Sequence, residues 1–124
     1  EIAKYLQSHE KISWVRCPHL EGDKYYDLAM KYMPNGGCGV VSFGVKGGRA
    51  AAEKFMKSLR LAAIETHVAD ARSCCLHPAT TTHRQLSDDE LVACGVGPDL
   101  VRVSLGLEDA ADLIADIEQA LANV

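Results

Sequence analysis

Apolar and polar residues alternate through DLVRVSLGLED near the carboxyl end, and this period of two predicts a strand over 100–107. Val101, Val103, Leu105 and Leu107 fall on one face of it, so Arg102 points the other way with Leu100 and Ser104. A second alternation, VVSFGVK (40–46), groups Val41, Phe43 and Val45. KISWVRCP (11–18) and RSCCLHP (72–78) read as two more strands, each stopped by a proline, and LAAIETHVAD (61–70) as a further extended segment. The faces of the 72–78 strand divide into Cys74 with Leu76 and Ser73 with Cys75 and His77.

Helical spacing marks the segments between. Ile2, Ala3 and Leu6 predict a helix over 1–9, and KYYDLAMKYM (24–33) a short one ended by Pro34. Ala52, Phe55, Met56 and Leu59 form the apolar stripe of a helix over 48–60, with Arg49, Glu53, Lys54 and Lys57 outward. Ser87, with Glu90 three residues on and Gly95 as a stop, predicts a helix of a turn or two. A final helix begins near Asp109 and lines its buried face with Leu113, Ile114, Ile117, Ala120 and Leu121. One-faced strands with helices enough to cover that face predict a two-layer α+β domain with a largely antiparallel sheet.

At 124 residues the chain is expected to form a single domain with one hydrophobic core. A net charge of −4 without clustered Lys or Arg argues against nucleic acid as a partner. No apolar run approaches the roughly 20 residues that cross a bilayer, so no membrane partner is expected. The five cysteines (Cys17, Cys38, Cys74, Cys75, Cys94) have no framework spacing and read as reduced thiols of a cytoplasmic protein. The chain starts without a methionine and already in helical pattern, the expectation for a piece of a longer protein.

Most motif tests fail. GGCGVVSFGVKGGR matches neither a P-loop nor G-x-G-x-x-G, and its glycines read as turns. His67, His77 and His83 with Cys74 and Cys75 lack the spacings of zinc sites, so no metal is expected. Cys–His catalysis finds no acidic partner or oxyanion motif, and Asp88-Asp89-Glu90 read as charges at a helix start rather than an acid/base pair. One arrangement remains. Ser73, Cys75 and His77 form one polar strand face, Arg102 and Ser104 another, and the TTTH loop follows the first strand directly. A guanidinium beside hydroxyls suits a carboxylate, which arginine grips with two parallel hydrogen bonds; a plain solvated face gives the same pattern.

The segment from VSFGVKGG through ADARSCCLHPATTTH to VRVSLGLEDAADLIADIEQAL resembles the C-terminal domain of the Cys/Met-metabolism family of pyridoxal-phosphate (PLP) enzymes. The serine strand, the Pro-Ala-x-x-Thr-His loop and the Arg-x-Ser-x-Gly-x-Glu-Asp strand stand in that family's order. WVRCPHLEGDKYYDLAMKYMPNG and the serine strand are most similar to the O-acetylhomoserine sulfhydrylase (O-acetylhomoserine aminocarboxypropyltransferase) branch.

The resemblance implies a fold like the small C-terminal domain of fold-type I PLP-dependent transferases. Residues 1–124 would be that substrate-binding domain, 1–35 the tail of the linker helix and first strand, and the large PLP-binding domain would be absent. Arg102 is the match to the arginine that binds the substrate α-carboxylate, Ser73 to the serine that helps hold it, and Thr82 to the loop threonine beside them. Arg72 falls where members vary with reaction specificity. PLP would serve the intact enzyme, bound by the large domain, with none in this chain. AMKYM around Lys31 lacks the hydroxyl residues that precede the family's cofactor lysine, so no catalytic residue is assigned and the chain alone would be inactive. The intact enzyme, a homotetramer as is usual in the family, would make homocysteine or methionine from O-acetylhomoserine and sulfide or a thiol. The alternatives are the same domain of a cystathionine synthase or lyase, and a free-standing non-catalytic small-molecule-binding α+β module. In a chain standing alone, Arg102 is expected to be exposed and unpaired.

Overall fold

A computed structural model describes residues 1–124 and places five strands in one sheet. In chain order the elements are α1 (Ile2–Ser8), β1 (Ile12–Arg16), α2 (Tyr26–Tyr32), β2 (Val40–Val45), α3 (Gly48–Ser58) and β3 (Ala63–Ile64). There follow β4 (Cys74–Leu76), a 3₁₀ turn at Pro78–Thr80, α4 (Asp88–Ala93), β5 (Leu100–Ser104) and α5 (Ala110–Ala122). The strand order is β1-β2-β5-β4-β3. The first three pairings are antiparallel, and β3 joins β4 in parallel.

Local chemistry explains several boundaries. Ser87 caps α4 in a reciprocal capping box with Glu90, as the spacing predicts. The Asp109 carboxylate accepts the Ala111 N–H at 2.8 Å and opens α5, where a negative group favours the helix dipole. Gly47, at φ 102°, supplies the left-handed residue that turns the chain from β2 into α3.

The apolar stripes meet on one side of the sheet. Ile2 and Leu6 of α1, Ala52, Phe55 and Met56 of α3, and Leu113, Ile117 and Leu121 of α5 pack on Ile12, Val41, Phe43, Val45, Val101 and Val103. Phe43 and Phe55 meet edge-on at a ring separation of 5.7 Å in the middle of this core. No helix is long and apolar enough to cross a membrane.

Three expectations change. β5 ends at Ser104, so Leu107 leaves the aliphatic face and is 87% exposed. The 61–70 segment pairs only at Ala63–Ile64; the chain then leaves the edge and returns as β4. The faces of β4 are also the reverse of the expected ones. Cys75 lies opposite Val103 in the core, while Cys74 and Leu76 lie opposite Ser104 and Arg102. Alternation sorts residues into two sets, but cross-strand register decides which set faces the helices.

Candidate functional site

Antiparallel register puts Arg16, Ser42, Arg102 and Leu76 in one row across β1, β2, β5 and β4, on the face away from the core helices. Beside this row lies a concavity of about 410 Å³ lined by Trp14, Arg16, Ser42, Gly95 and Leu100. Its size is within the range of small-molecule pockets. Gly44 makes part of this surface possible. The Trp14 Nε1–H donates to Asp99 Oδ2 at 2.9 Å across it, and a Cβ there would lie 2.2 Å from both atoms.

The β3–β4 connection covers the other end of the row. Arg102 Nη2 donates to the carbonyl oxygens of Thr66 at 2.8 Å and His67 at 3.4 Å. The Ala69 N–H donates to Ser104 Oγ at 3.0 Å. Arg102 is therefore half-buried and held, not exposed and unpaired as a solitary strand reading expects. The reason is the parallel β3–β4 pairing, which obliges the connecting segment to pass over the sheet face. The Arg102 Nε is buried without a partner. A buried donor of this kind on a charged fork is matched by an acceptor such as a carboxylate.

Ser73 sits at the start of β4 with no exposed surface. Its N–H donates to Glu108 Oε1 at 2.7 Å and its hydroxyl to Glu108 Oε2 at 2.8 Å, while the Gly106 N–H donates to the same hydroxyl oxygen at 2.8 Å. These bonds from Ser73 hold the Glu108 carboxyl below the usual carboxylate range. Arg72 is exposed; its N–H donates to Asp70 Oδ1 at 3.1 Å and its Nη2 to the Leu61 carbonyl at 3.4 Å. Thr82 is exposed too, with its hydroxyl 2.8 Å from His83 Nδ1. Of the four residues singled out from sequence, Arg102, Ser73 and Arg72 all adjoin or belong to the 65–73 segment. No hydrogen bond links Thr82 to them.

The histidines and cysteines have separate places. His77 is buried, with Nε2 2.9 Å from the Pro98 carbonyl and Nδ1 2.9 Å from Thr80 Oγ1; it ties the 3₁₀ turn to the loop before β5. Facing a carbonyl, Nε2 must carry the proton. His67 pairs with Glu65 at 2.8 Å on the surface. Burial pushes the Cys75 thiol up to about 12, and burial raises Cys74 as well, so neither supplies a thiolate near neutral pH.

Two residues outside the sequence reading matter to the site or its frame. Glu108 belongs to the Arg-x-Ser-x-Gly-x-Glu-Asp run, yet only the fold shows its partner 35 positions upstream. Gly106 is the second. A Cβ on it would stand 2.4 Å from the Ala71 carbonyl oxygen and 2.6 Å from the Arg72 carbonyl carbon. Backbone cannot yield as a flexible side chain does, so Gly106→Ala is expected to destabilise the domain by about 2 kcal/mol. Urea unfolding at constant slope checks this: a midpoint shifted downward is the expected result, and an unchanged midpoint contradicts the close approach.

The profile that describes a Cys/Met metabolism PLP-dependent enzyme matches residues 1–122. O-acetyl-L-homoserine sulfhydrylase of Leptospira meyeri is 44% identical over 100% of this chain and 28% of its own length. Homocysteine synthase of Schizosaccharomyces pombe is 46% identical over 97% of this chain and 28% of its own length. A crystal structure of a putative O-acetylhomoserine (thiol)-lyase from Campylobacter jejuni superposes with a TM-score of 0.89 at 37% identity, covering 98% of this chain and 29% of that one. That protein carries N'-pyridoxyl-lysine-5'-monophosphate at its position 205, outside the segment matched here. The chain thus spans little more than a quarter of these relatives' length. With both the sequence and the fold matched from end to end, this chain belongs to the Cys/Met-metabolism family of PLP-dependent enzymes.

Proposed function

We propose that the chain is the substrate-binding C-terminal domain of a PLP-dependent O-acetylhomoserine sulfhydrylase. In the intact protein acetate leaves the γ-carbon of O-acetylhomoserine, and sulfide or a thiol forms the new C–S bond, giving homocysteine or methionine. The observation that carries the reading is Arg102, a guanidinium held against two carbonyls with its Nε buried and unpartnered, beside a concavity of small-molecule size. In this reading Arg102 binds the substrate α-carboxylate and so fixes the orientation of the reacting carbon. Arg72, at the exposed turn before β4, tunes reaction specificity, and Thr82 is the loop threonine beside the substrate.

In the matched Campylobacter jejuni structure the pyridoxyl-lysine lies outside the segment matched here. The cofactor, which supplies an electron sink to such reactions, is therefore assigned to the part of the protein outside this chain. Residues 1–35 are then the end of a linker helix and the first strand, leading in from a large domain. A cytoplasmic homotetramer completes the proposal.

The full-length protein bearing this segment tests it. Homocysteine formation from O-acetylhomoserine and sulfide is the expected result, with no turnover by residues 1–124 alone supplied with PLP. Cleavage or synthesis of cystathionine as the faster reaction assigns the domain to that branch instead. Turnover by the isolated chain overturns the division of labour between the domains.

A further inference from the structure

We propose that Glu108, acting through Ser73, is a positioning residue for Arg102, and that Ser73 serves the substrate by this route. The inference deepens the reading of Arg102 as the carboxylate ligand and rests on it.

The argument follows the 65–73 segment from end to end. Its early residues offer the Thr66 and His67 carbonyls that hold Arg102 Nη2. Those carbonyls lie on a connection without regular secondary structure, so something else must fix them. Ala69 donates to Ser104 Oγ at 3.0 Å, the Leu107 N–H donates to the Ala71 carbonyl at 2.8 Å, and Ser73 is clasped at both N–H and hydroxyl by Glu108. Gly106 closes the clasp by donating to Ser73 Oγ, at an approach with no room for a Cβ. Every one of these partners belongs to β5 or the five residues after it, the same stretch that carries Arg102.

The segment also shows backbone strain. Ala69 has a φ of 57°, and it alone among the non-glycine residues has a positive φ. An alanine stays in that region only where its surroundings over-determine it. The bonds on either side of Ala69 meet that condition. The carboxylate form of Glu108 is the one that accepts from both Ser73 donors, and charge-assisted bonds of this kind are the strong ones. Since the Ser73 hydroxyl already makes both a donor and an acceptor bond inside the fold, a substrate contact is not needed to explain its presence.

The test uses the full-length enzyme with the amino-acid substrate varied at saturating sulfur donor, together with amide hydrogen exchange of the 65–73 segment. Glu108→Ala and Ser73→Ala are each expected to raise KM for the amino-acid substrate about tenfold, the scale of one lost charge-assisted bond, with kcat changed far less. Exchange through 65–73 should quicken in both. The double variant should be no worse than the worse single, because the two residues act as one unit. Glu108→Gln, which keeps shape and one acceptor, should lie between parent and Glu108→Ala and guards against a variant that fails to fold.

Additive effects of Ser73→Ala and Glu108→Ala would overturn the inference, because Ser73 would then touch the substrate directly. An unchanged KM and unchanged exchange in Glu108→Ala, with Arg102→Ala still raising KM, would overturn it alone. An unchanged KM in Arg102→Ala would overturn the carboxylate reading, and the inference with it.

Discussion

Arg102→Ala in the full-length protein is expected to lower kcat/KM for the amino-acid substrate by roughly 30- to 900-fold, which corresponds to about 2–4 kcal/mol. The magnitude follows from removing one partner of a charge-assisted contact and leaving a desolvated carboxylate without donors. The structure adds a second cost. Arg102 also closes the carbonyls of Thr66 and His67, so its truncation loosens the segment that shapes the site. Arg102→Lys keeps the charge but loses the planar fork, and it should recover only a minor part of the loss. Steady-state kinetics with the amino-acid substrate varied checks both variants. A change confined to kcat, or none, would place Arg102 outside the substrate contact.

The second large effect concerns the frame. Asp116→Ala is expected to destabilise the domain by about 3 kcal/mol, because three backbone donors lose their acceptor together. The Asp116 carboxylate, 7% exposed on α5, accepts the N–H groups of Arg60 at 2.8 Å, Leu61 at 2.9 Å and Ala62 at 3.1 Å. Gln119 adds a side-chain donor at 3.0 Å. The arrangement pins the turn after α3 to α5 and so sets where β3 begins. Burial pushes this carboxyl up, but the N–H bonds from Ala62, Arg60 and Leu61 outweigh it and leave the group below its usual range.

The pH dependence follows in sign. A carboxylate whose pKa is lowered on folding contributes its full stabilisation above the ordinary aspartate value of about 3.9, and that contribution is lost as pH falls through the folded value. Glu108, lowered likewise, adds to the same acid limb. Chemical unfolding at pH 7 and again near pH 3 measures it. The parent should lose more stability between those two conditions than Asp116→Asn, which keeps an acceptor but has no charge to lose. Equal acid losses in the two proteins would show that Asp116 is not held as a carboxylate.

Much of this domain was legible in the residue order. A strand's period of two needs only local stereochemistry, so the grouping of Val41, Phe43 and Val45, and of Val101 and Val103, could be read directly. The helical stripes of Phe55 with Met56 and of Leu113 with Ile117 were as clear, and so was the capping box at Ser87. Arg102 was identifiable as the charge opposite an aliphatic face, and the family resemblance supplied its candidate role. Asp116 was not identifiable, because a carboxylate next to Ile117 on an amphipathic helix looks like any solvent-facing residue. Its donors are 54 to 56 positions away, and no periodicity carries information over that separation.

The face of β4 shows the same division. Alternation separated Cys74 and Leu76 from Ser73 and Cys75, but the inward set was settled by register against β5, where Cys75 meets Val103. The parallel edge at Ala63–Ile64 then sent the 65–73 segment across the sheet, onto Arg102 and into the reach of Glu108. Secondary structure and the apolar faces arise from interactions within a few residues, and the chain specifies them locally. The setting of the guanidinium depends on hydrogen bonds that form only once distant strands have taken their register. For that reason Arg102 could be singled out from the sequence as a candidate, whereas the hydrogen bonds that surround it became visible only in three dimensions.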